Sequence, residues 1–194
     1  MKKLLFLVVC IILSSCASIH DAVNDSTDIS KAKNLSIDEI KSQIKIDKND
    51  FEEGILVKTK KISKFSNLYD NSEYSKRWNK SVPYYHLRGL KANTGNVFLI
   101  YNTVELGDID YGYYKKASDR NKNIFKTKLI NRGYDSTLGV YTEDFTVNIT
   151  EKYLRSKKES GIEIRVSGRS EGDDYVIEIP SNYIKAFLEK FDES

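Results

Sequence analysis

Residues 97–104 have the sequence VFLIYNTV, and apolar side chains occupy both alternating sets of positions in this stretch. A strand that is covered on both faces has this pattern, so the stretch predicts a central strand of a sheet. Residues 93–96 (NTGN) are turn formers, and residues 85–87 (YHL) have strand character. We therefore expect a hairpin around residues 93–96, with the central strand paired to the strand before it.

Further elements of both kinds surround this hairpin. Apolar alternation and turn formers predict strands at residues 55–59, 111–117, 124–130, 140–149, 162–167 and 175–179, with turns at 118–122 and 132–133 and a long loop at 61–82. A capping box at Ser36 and Glu39 predicts an amphipathic helix to about residue 46. Thr150 and Gly161 are predicted to bound a short second helix, and Ser181 to cap a last one.

The order of these elements predicts the fold class. The last helix has one apolar stripe, which must lie on another element. We expect an α+β domain with a mostly antiparallel, curved sheet. An N-terminal helix, a short internal helix and the C-terminal amphipathic helix are expected to pack on that sheet. Residues 36–194 are predicted to form this single globular domain, which is long enough to bury a core.

The N-terminus has a different composition from the rest of the chain. Lys2 and Lys3 precede an unbroken apolar run from Leu4 to Leu13, and small residues follow it. Ten apolar residues are about half of the roughly 20 that a membrane-spanning helix needs. A short basic start, a brief apolar run and small residues predict a secretory signal peptide.

Residues 13–16 (LSSC) resemble the lipobox of bacterial lipoproteins, in which two small residues separate a leucine from a cysteine. The resemblance implies cleavage between Ser15 and Cys16 and a diacylglyceryl group, with chains such as palmitate, on the Cys16 thiol. It divides the chain into a signal peptide at 1–15 and a lipidated N-terminus with a flexible tether at 16–35. Membrane anchoring would then depend on acyl chains, and two or more of these bind a bilayer stably.

The resemblance also implies a location in the cell envelope. Ala17, rather than an aspartate, follows the cysteine. In a Gram-negative host this implies the outer membrane, and in a Gram-positive host the cell membrane.

Net charge and cysteine content limit the kinds of partner, covalent cross-link and metal site that the mature chain can have. Of the formal charge of +3, two units come from the leader, so the mature chain is nearly neutral and a nucleic-acid partner is not expected. If Cys10 is removed with the leader and Cys16 is acylated, the mature chain has no thiol, because the sequence has two cysteines. We therefore expect no disulfide and no thiolate metal site. Because the chain also has two histidines only, we expect no zinc site, and no motif predicts another metal or a cofactor.

Three sequence features are candidates for catalysis or metal binding. Residues 168–172 (GRSEG) match G-x-S-x-G, but they join two predicted strands, and both histidines precede Ser170, so a hairpin loop is expected. His86 is a candidate base that would need a carboxylate partner. Asp108 with Asp110, and Glu171 with Asp173 and Asp174, lack calcium-loop spacing and are expected to be turn carboxylates.

Tyrosine is abundant, with 13 in the chain. Aromatic rings beside basic side chains can stack on flat ligand groups and contact anionic ones. Tyrosine and phenylalanine are also common strand residues, and this propensity favours a structural role for the rings. If the protein has a binding surface of this kind, the candidate residues are Tyr84, Tyr111, Tyr113, Tyr114, Lys115 and Lys116.

These features predict a lipid-anchored envelope protein with a non-catalytic binding or accessory role, with the membrane and an envelope protein or glycan as partners. Two alternatives remain at this point. One is an envelope enzyme that uses His86 on a cell-wall, lipid or glycan substrate. The other is an accessory or inhibitory lipoprotein that docks on one protein partner.

Overall fold

The computed structural model describes residues 26–49, 54–63, 82–106, 111–136, 140–169 and 174–194. In these segments the protein has the α+β fold, with two mostly antiparallel sheets and four helices. The strands are β1 (Ser26–Asp28), β2 (Lys45–Asn49), β3 (Gly54–Lys58), β4 (Lys61–Ser63), β5 (Val82–Ala92), β6 (Gly95–Leu106), β7 (Lys116–Asp119), β8 (Ile124–Phe125), β9 (Thr127–Asp135), β10 (Val140–Ile149), β11 (Ile162–Ser167) and β12 (Tyr175–Ile179). The helices are α1 (Ile29–Ala32), α2 (Ile37–Ser42), α3 (Glu151–Ser156) and α4 (Ser181–Glu193).

The predicted hairpin is confirmed as β5 and β6, which pair antiparallel from Val82↔Glu105 to Ala92↔Gly95. Gly95 has a φ of 121°, which a residue with a Cβ rarely adopts, so a glycine suits this turn. β6 is a central strand as predicted, since it pairs with β5 on one side and β10 on the other.

The larger sheet has the order β1-β4-β5-β6-β10-β9, and β3 pairs with both β2 and β5. β3 and β4 lie along the same edge of β5, against residues 88–91 and 84–85 respectively. β4 occupies the start of the segment predicted as a long loop. Residues 64–81 of that loop lie outside the described residues.

Part of the segment predicted as a flexible tether is folded. β1 and α1 fall within residues 16–35, where β1 pairs in parallel with β4 and Ala32 is fully buried. The Asn182 side chain donates to the carbonyls of Ala32 and Leu35, at 2.9 and 2.7 Å. These long-range contacts order a stretch that has no periodic pattern of its own. The predicted leader, Cys16 and tether residues 17–25 lie outside the described residues.

The smaller sheet has the order β12-β11-β7-β8, so there are two sheets where one was predicted. The strand predicted at 124–130 is divided between them at Lys126, with β8 in the smaller sheet and β9 in the larger. The turn predicted at Arg132 and Gly133 is wrong. Both residues lie within β9, opposite Glu143 and Thr142 of β10.

Capping residues in the sequence predicted the starts of α2, α3 and α4 to within about one residue. Ser36 and Glu39 form the predicted capping box, but α2 ends at Ser42 and β2 follows, where a longer helix was expected. Thr150 caps α3 as predicted, and Gly161 has a φ of 78°. Pro180, not Ser181, is the N-cap of α4. None of the helices in the described segments combines the length and apolarity needed to cross a membrane.

The hydrophobic core lies between the two sheets and α4. One cluster of buried residues includes members of both sheets and the predicted stripe of α4: Tyr183, Ile184, Phe187, Leu188 and Phe191. Phe98 of β6 packs on Phe191 with ring centroids 4.7 Å apart. Gly89 lies beneath these rings, and a Cβ there would come within 2.8 Å of Phe191. The hydroxyl of Tyr85 connects the sheets, because it donates to the carbonyl and accepts from the N–H of Glu178, both at 3.0 Å.

Candidate functional site

The predicted tyrosine surface is not formed as a unit. Tyr84 and Tyr114 are buried, with 4% and 3% of their surface exposed, so neither can belong to an exposed binding face. Tyr114 stacks on Phe145 with ring centroids 5.2 Å apart. Tyr114 belongs to the hydrophobic core, whereas Tyr84 is buried outside that cluster, on the face of β5 that also carries His86.

A buried carboxylate determines the path of residues 111–115, which were predicted as the start of a strand. Glu143 of β10 is 1% exposed and accepts hydrogen bonds from the N–H groups of Tyr113 and Tyr114, at 3.0 and 3.1 Å. Arg132 Nε donates to the same carboxylate at 3.3 Å. Tyr113 has a φ of 52°, which is incompatible with an extended strand. The segment therefore lies against the sheet as a loop, and β7 begins only at Lys116.

Part of the predicted surface remains accessible. Tyr111 and Tyr113 are half-buried, and Arg132 lies 5.3 and 4.2 Å from their ring centroids. Tyr141 packs on Tyr111 at 5.1 Å and on Tyr134 at 4.6 Å. Lys115 and Lys116 are exposed.

His86 lies on β5 with its side chain buried, and its neighbours are cationic. The ring Nε2 accepts a hydrogen bond from Arg88 Nε at 2.7 Å, which places the proton of the neutral ring on Nδ1. Burial, with Arg88, Lys61 and Lys58 nearby, lowers the pKa of His86 well below 6.5. The Arg88 guanidinium carbon also lies 3.8 Å from the ring centroid of Tyr101. Arg88 is thus held in place by two neighbours.

Successive side chains of β5 point to opposite faces of the larger sheet, and this places His86 and Arg88 away from the core. Leu87 and Gly89 face the core with α4, so His86 and Arg88 project from the opposite face of the larger sheet. The hydroxyl of Thr59 accepts from the N–H of Leu87 at 3.1 Å, and the N–H of Thr59 donates to the Leu87 carbonyl at 3.0 Å. These two bonds fix the connection between β3 and β4 beside His86.

With the geometry of these regions defined, we compared the chain with known proteins. No protein family, curated protein or solved structure is detectably similar to it. The interpretation of the site therefore depends on its own chemistry.

A cavity of about 450 Å³, which we call the basic pocket, opens beside His86. Its cationic residues are Lys45, Lys58, Lys60, Lys61 and Arg88, and none of the described residues that line it is acidic. The sequence interpretation missed this site. The close spacing of Lys58, Lys60 and Lys61 was the one sequence signal for a basic site. Lys45 and Arg88 lie on other strands, so only strand pairing brings them beside these lysines.

The remaining sequence candidates have structural explanations or lie outside the described residues. β11 and β12 pair antiparallel, so the G-x-S-x-G match does join two strands, as predicted. Asp174 accepts from Arg165 Nε at 2.9 Å and from the Gly168 N–H at 3.2 Å, as an ordinary hairpin carboxylate. Among the described residues, no group of three or more histidine, cysteine or acidic side chains could hold a metal ion. Ser170, Asp108, Asp110, Glu171 and Asp173 lie outside the described residues.

The lowered pKa of His86 predicts a specific pH response. Its ring resonances should not shift between about pH 8 and 6.5, as followed by NMR of the full chain. Below pH 6.5 the unfolded state binds more protons than the folded state, because only the unfolded His86 has its ordinary pKa. The free energy of unfolding should therefore decrease as the pH drops from 6.5 toward the lower pKa that His86 has in the folded state. A His20→Gln variant leaves one imidazole signal to assign. A His86 midpoint at or above 6.5 would contradict the prediction.

Proposed function

We propose that this protein is a lipid-anchored component of the cell envelope whose folded domain binds another envelope molecule and catalyses no reaction. The diacylglyceryl group on Cys16 anchors the chain in the outer membrane of a Gram-negative cell or the cell membrane of a Gram-positive one. The described residues, which begin at Ser26, belong to the folded domain.

The environment of His86 is the observation that carries the binding part of the proposal. A histidine that acts as a general base needs a ring nitrogen that is free to accept a proton. It usually also needs a carboxylate that orients the ring. In the basic pocket Arg88 donates to Nε2, the lowered pKa of His86 makes the ring a poor proton acceptor, and the described part of the lining includes no acidic side chain. Such an arrangement is suited to attracting an anion, and it is unsuited to proton transfer by His86.

Substitution of Cys16 tests the anchoring part. In the native host, Cys16→Ser should move the protein from the membrane fraction to the aqueous fraction or leave an unprocessed precursor, because the acylated thiol is lost. Cell fractionation and intact-protein mass spectrometry measure both outcomes.

Cys10→Ser is the matched control, since Cys10 lies within the predicted leader and should not be acylated. This control should leave membrane association and mature mass unchanged. An unchanged mass and location in Cys16→Ser would refute lipidation at this residue.

One observation favours the docking alternative. β9 is the end strand of the larger sheet within the described residues, and it exposes Leu129, Ile130 and Tyr134 by 44%, 48% and 54%. Ile130 has no partner in the register with β10, so the strand is irregular there. An exposed edge strand with apolar side chains can pair with a strand from another protein.

Cross-linking in cells, followed by mass spectrometry, separates these functions. Recovery of one stoichiometric protein linked to residues of β9 supports docking on a protein. Recovery of no protein, together with retention of an anionic small molecule by the purified domain, supports the primary proposal.

A further inference from the structure

The basic pocket has five cationic side chains, and nearby acidic groups balance only part of that charge: Asp47 and Asp144 attract Arg88 without forming an ion pair with it. Lys58 forms an ion pair with Asp47, and its hydrogen bond holds the pKa of that carboxyl below its usual range. Within the described part of the chain, Lys60, Lys61 and Arg88 form no ion pair with a carboxylate. The pocket therefore contains three cationic groups that an external anion can neutralise.

These groups converge because three segments meet at one edge of β5. Lys60 lies between β3 and β4, Lys61 begins β4, and Arg88 lies on β5 opposite Lys58. The backbone between the lysines and β5 is held by the two hydrogen bonds of Thr59. Because the backbone that carries these side chains is already in place, an anion requires little backbone rearrangement, and this limits the entropic cost of binding.

The nature of the cations favours a phosphate group over a carboxylate. The planar guanidinium of Arg88 presents paired donors that match two oxygens of a phosphate, while each lysine supplies a compact point charge. A phosphate carries more charge and more acceptor oxygens than a carboxylate, so it can engage all three groups at once. His86 stays neutral and does not add a fourth positive charge.

The volume favours a small ligand or headgroup. About 450 Å³ falls within the range of pockets that hold small molecules, roughly 300 to 1,000 Å³. A folded nucleic acid would need an extended basic surface instead.

We propose that the basic pocket binds a phosphate-bearing ligand, with the phosphate held by Arg88, Lys60 and Lys61. This inference deepens the proposed binding function and depends on it. The phosphate belongs either to a soluble small molecule or to a lipid headgroup, and both sources present the same chemistry to the pocket.

Titration calorimetry of the full mature chain in neutral detergent micelles tests the proposal. The two probes are inorganic phosphate and a short-chain phosphatidic acid. The test variant is Lys60→Gln with Lys61→Gln, which removes two charges that have no ion-pair partner in the described structure. The matched control is Lys152→Gln with Lys158→Gln, which makes the same change in net charge on two exposed lysines outside the pocket.

We expect saturable binding that the Lys60/Lys61 variant weakens by about tenfold or more, because each charge-assisted contact contributes substantially to affinity. The control should remain within about twofold of the wild type, since a distant exposed charge acts only through screened attraction. Saturable binding of inorganic phosphate supports a soluble ligand, and saturable binding of phosphatidic acid alone supports a lipid headgroup.

Two results would overturn the inference. One is the absence of saturable binding to either probe. The other is equal weakening by the pocket variant and the control, which would indicate nonspecific attraction. Neither result changes the outcome expected for Cys16→Ser, so failure of this inference can be distinguished from failure of the anchoring proposal. Matched thermal unfolding curves in the absence of ligand show that the variants are folded.

Discussion

Glu143→Ala should destabilise the protein by about 3 to 5 kcal/mol, because the substitution leaves the half-buried Arg132 and two backbone N–H groups without their shared acceptor. The carboxylate is 1% exposed and is the shared partner of Tyr113, Tyr114 and Arg132. For a domain of this size the loss corresponds to a decrease in Tm of roughly 6 to 20 °C. Thermal and urea unfolding measure it.

A second readout shows whether the loss acts through residues 111–115. Amide hydrogen exchange at Tyr113 and Tyr114 should accelerate in Glu143→Ala, since these two N–H groups donate to the carboxylate. The control is Glu163→Gln, which breaks an exposed pair with Arg120 and should change stability by less than about 1 kcal/mol. Equal effects of the two substitutions would show that Glu143 has no special structural role.

Phe187→Ala should cost about 3 to 5 kcal/mol, the usual range when a fully buried phenylalanine is truncated. Phe187 is fully buried and contacts Phe98, Phe191 and the glycine at position 89. Its removal leaves a cavity between α4 and β5 that these rings can fill only in part. Urea unfolding should show a lower midpoint at an unchanged m-value.

Lys190→Ala is the control for the same helix. Lys190 lies on the outer side of α4, and alanine preserves helix propensity, so the change in stability should stay within about 0.5 kcal/mol. If Lys190→Ala were as destabilising as Phe187→Ala, the assignment of the buried stripe to the core would be wrong.

Short-range patterns predicted several elements closely. The bounds of β10, the hairpin of β5 and β6, the capping box of α2 and the apolar stripe of α4 all agree with the structure. Each depends on residues within a few positions of one another, where periodicity and capping chemistry act directly.

The failed predictions share a different physical origin. Arg132 and Gly133 have turn character, yet they continue a strand because Arg132 pairs with a buried carboxylate on β10. Residues 111–115 have strand propensity, yet two hydrogen bonds to Glu143 hold them as a loop. In both places a contact between distant residues overrides local preference.

The sequence by itself determined many of the extended and helical segments, such as β10 and α4, and which of their sides are apolar, since these follow from side-chain spacing along the chain. It also supplies the reason to expect lipid on Cys16. Only the tertiary structure decided that Tyr84 and Tyr114 are buried and that Lys60, Lys61 and Arg88 surround one cavity. The reason is physical: strand pairing brings β3, β4 and β5 together, and the register of that pairing determines which charges become neighbours.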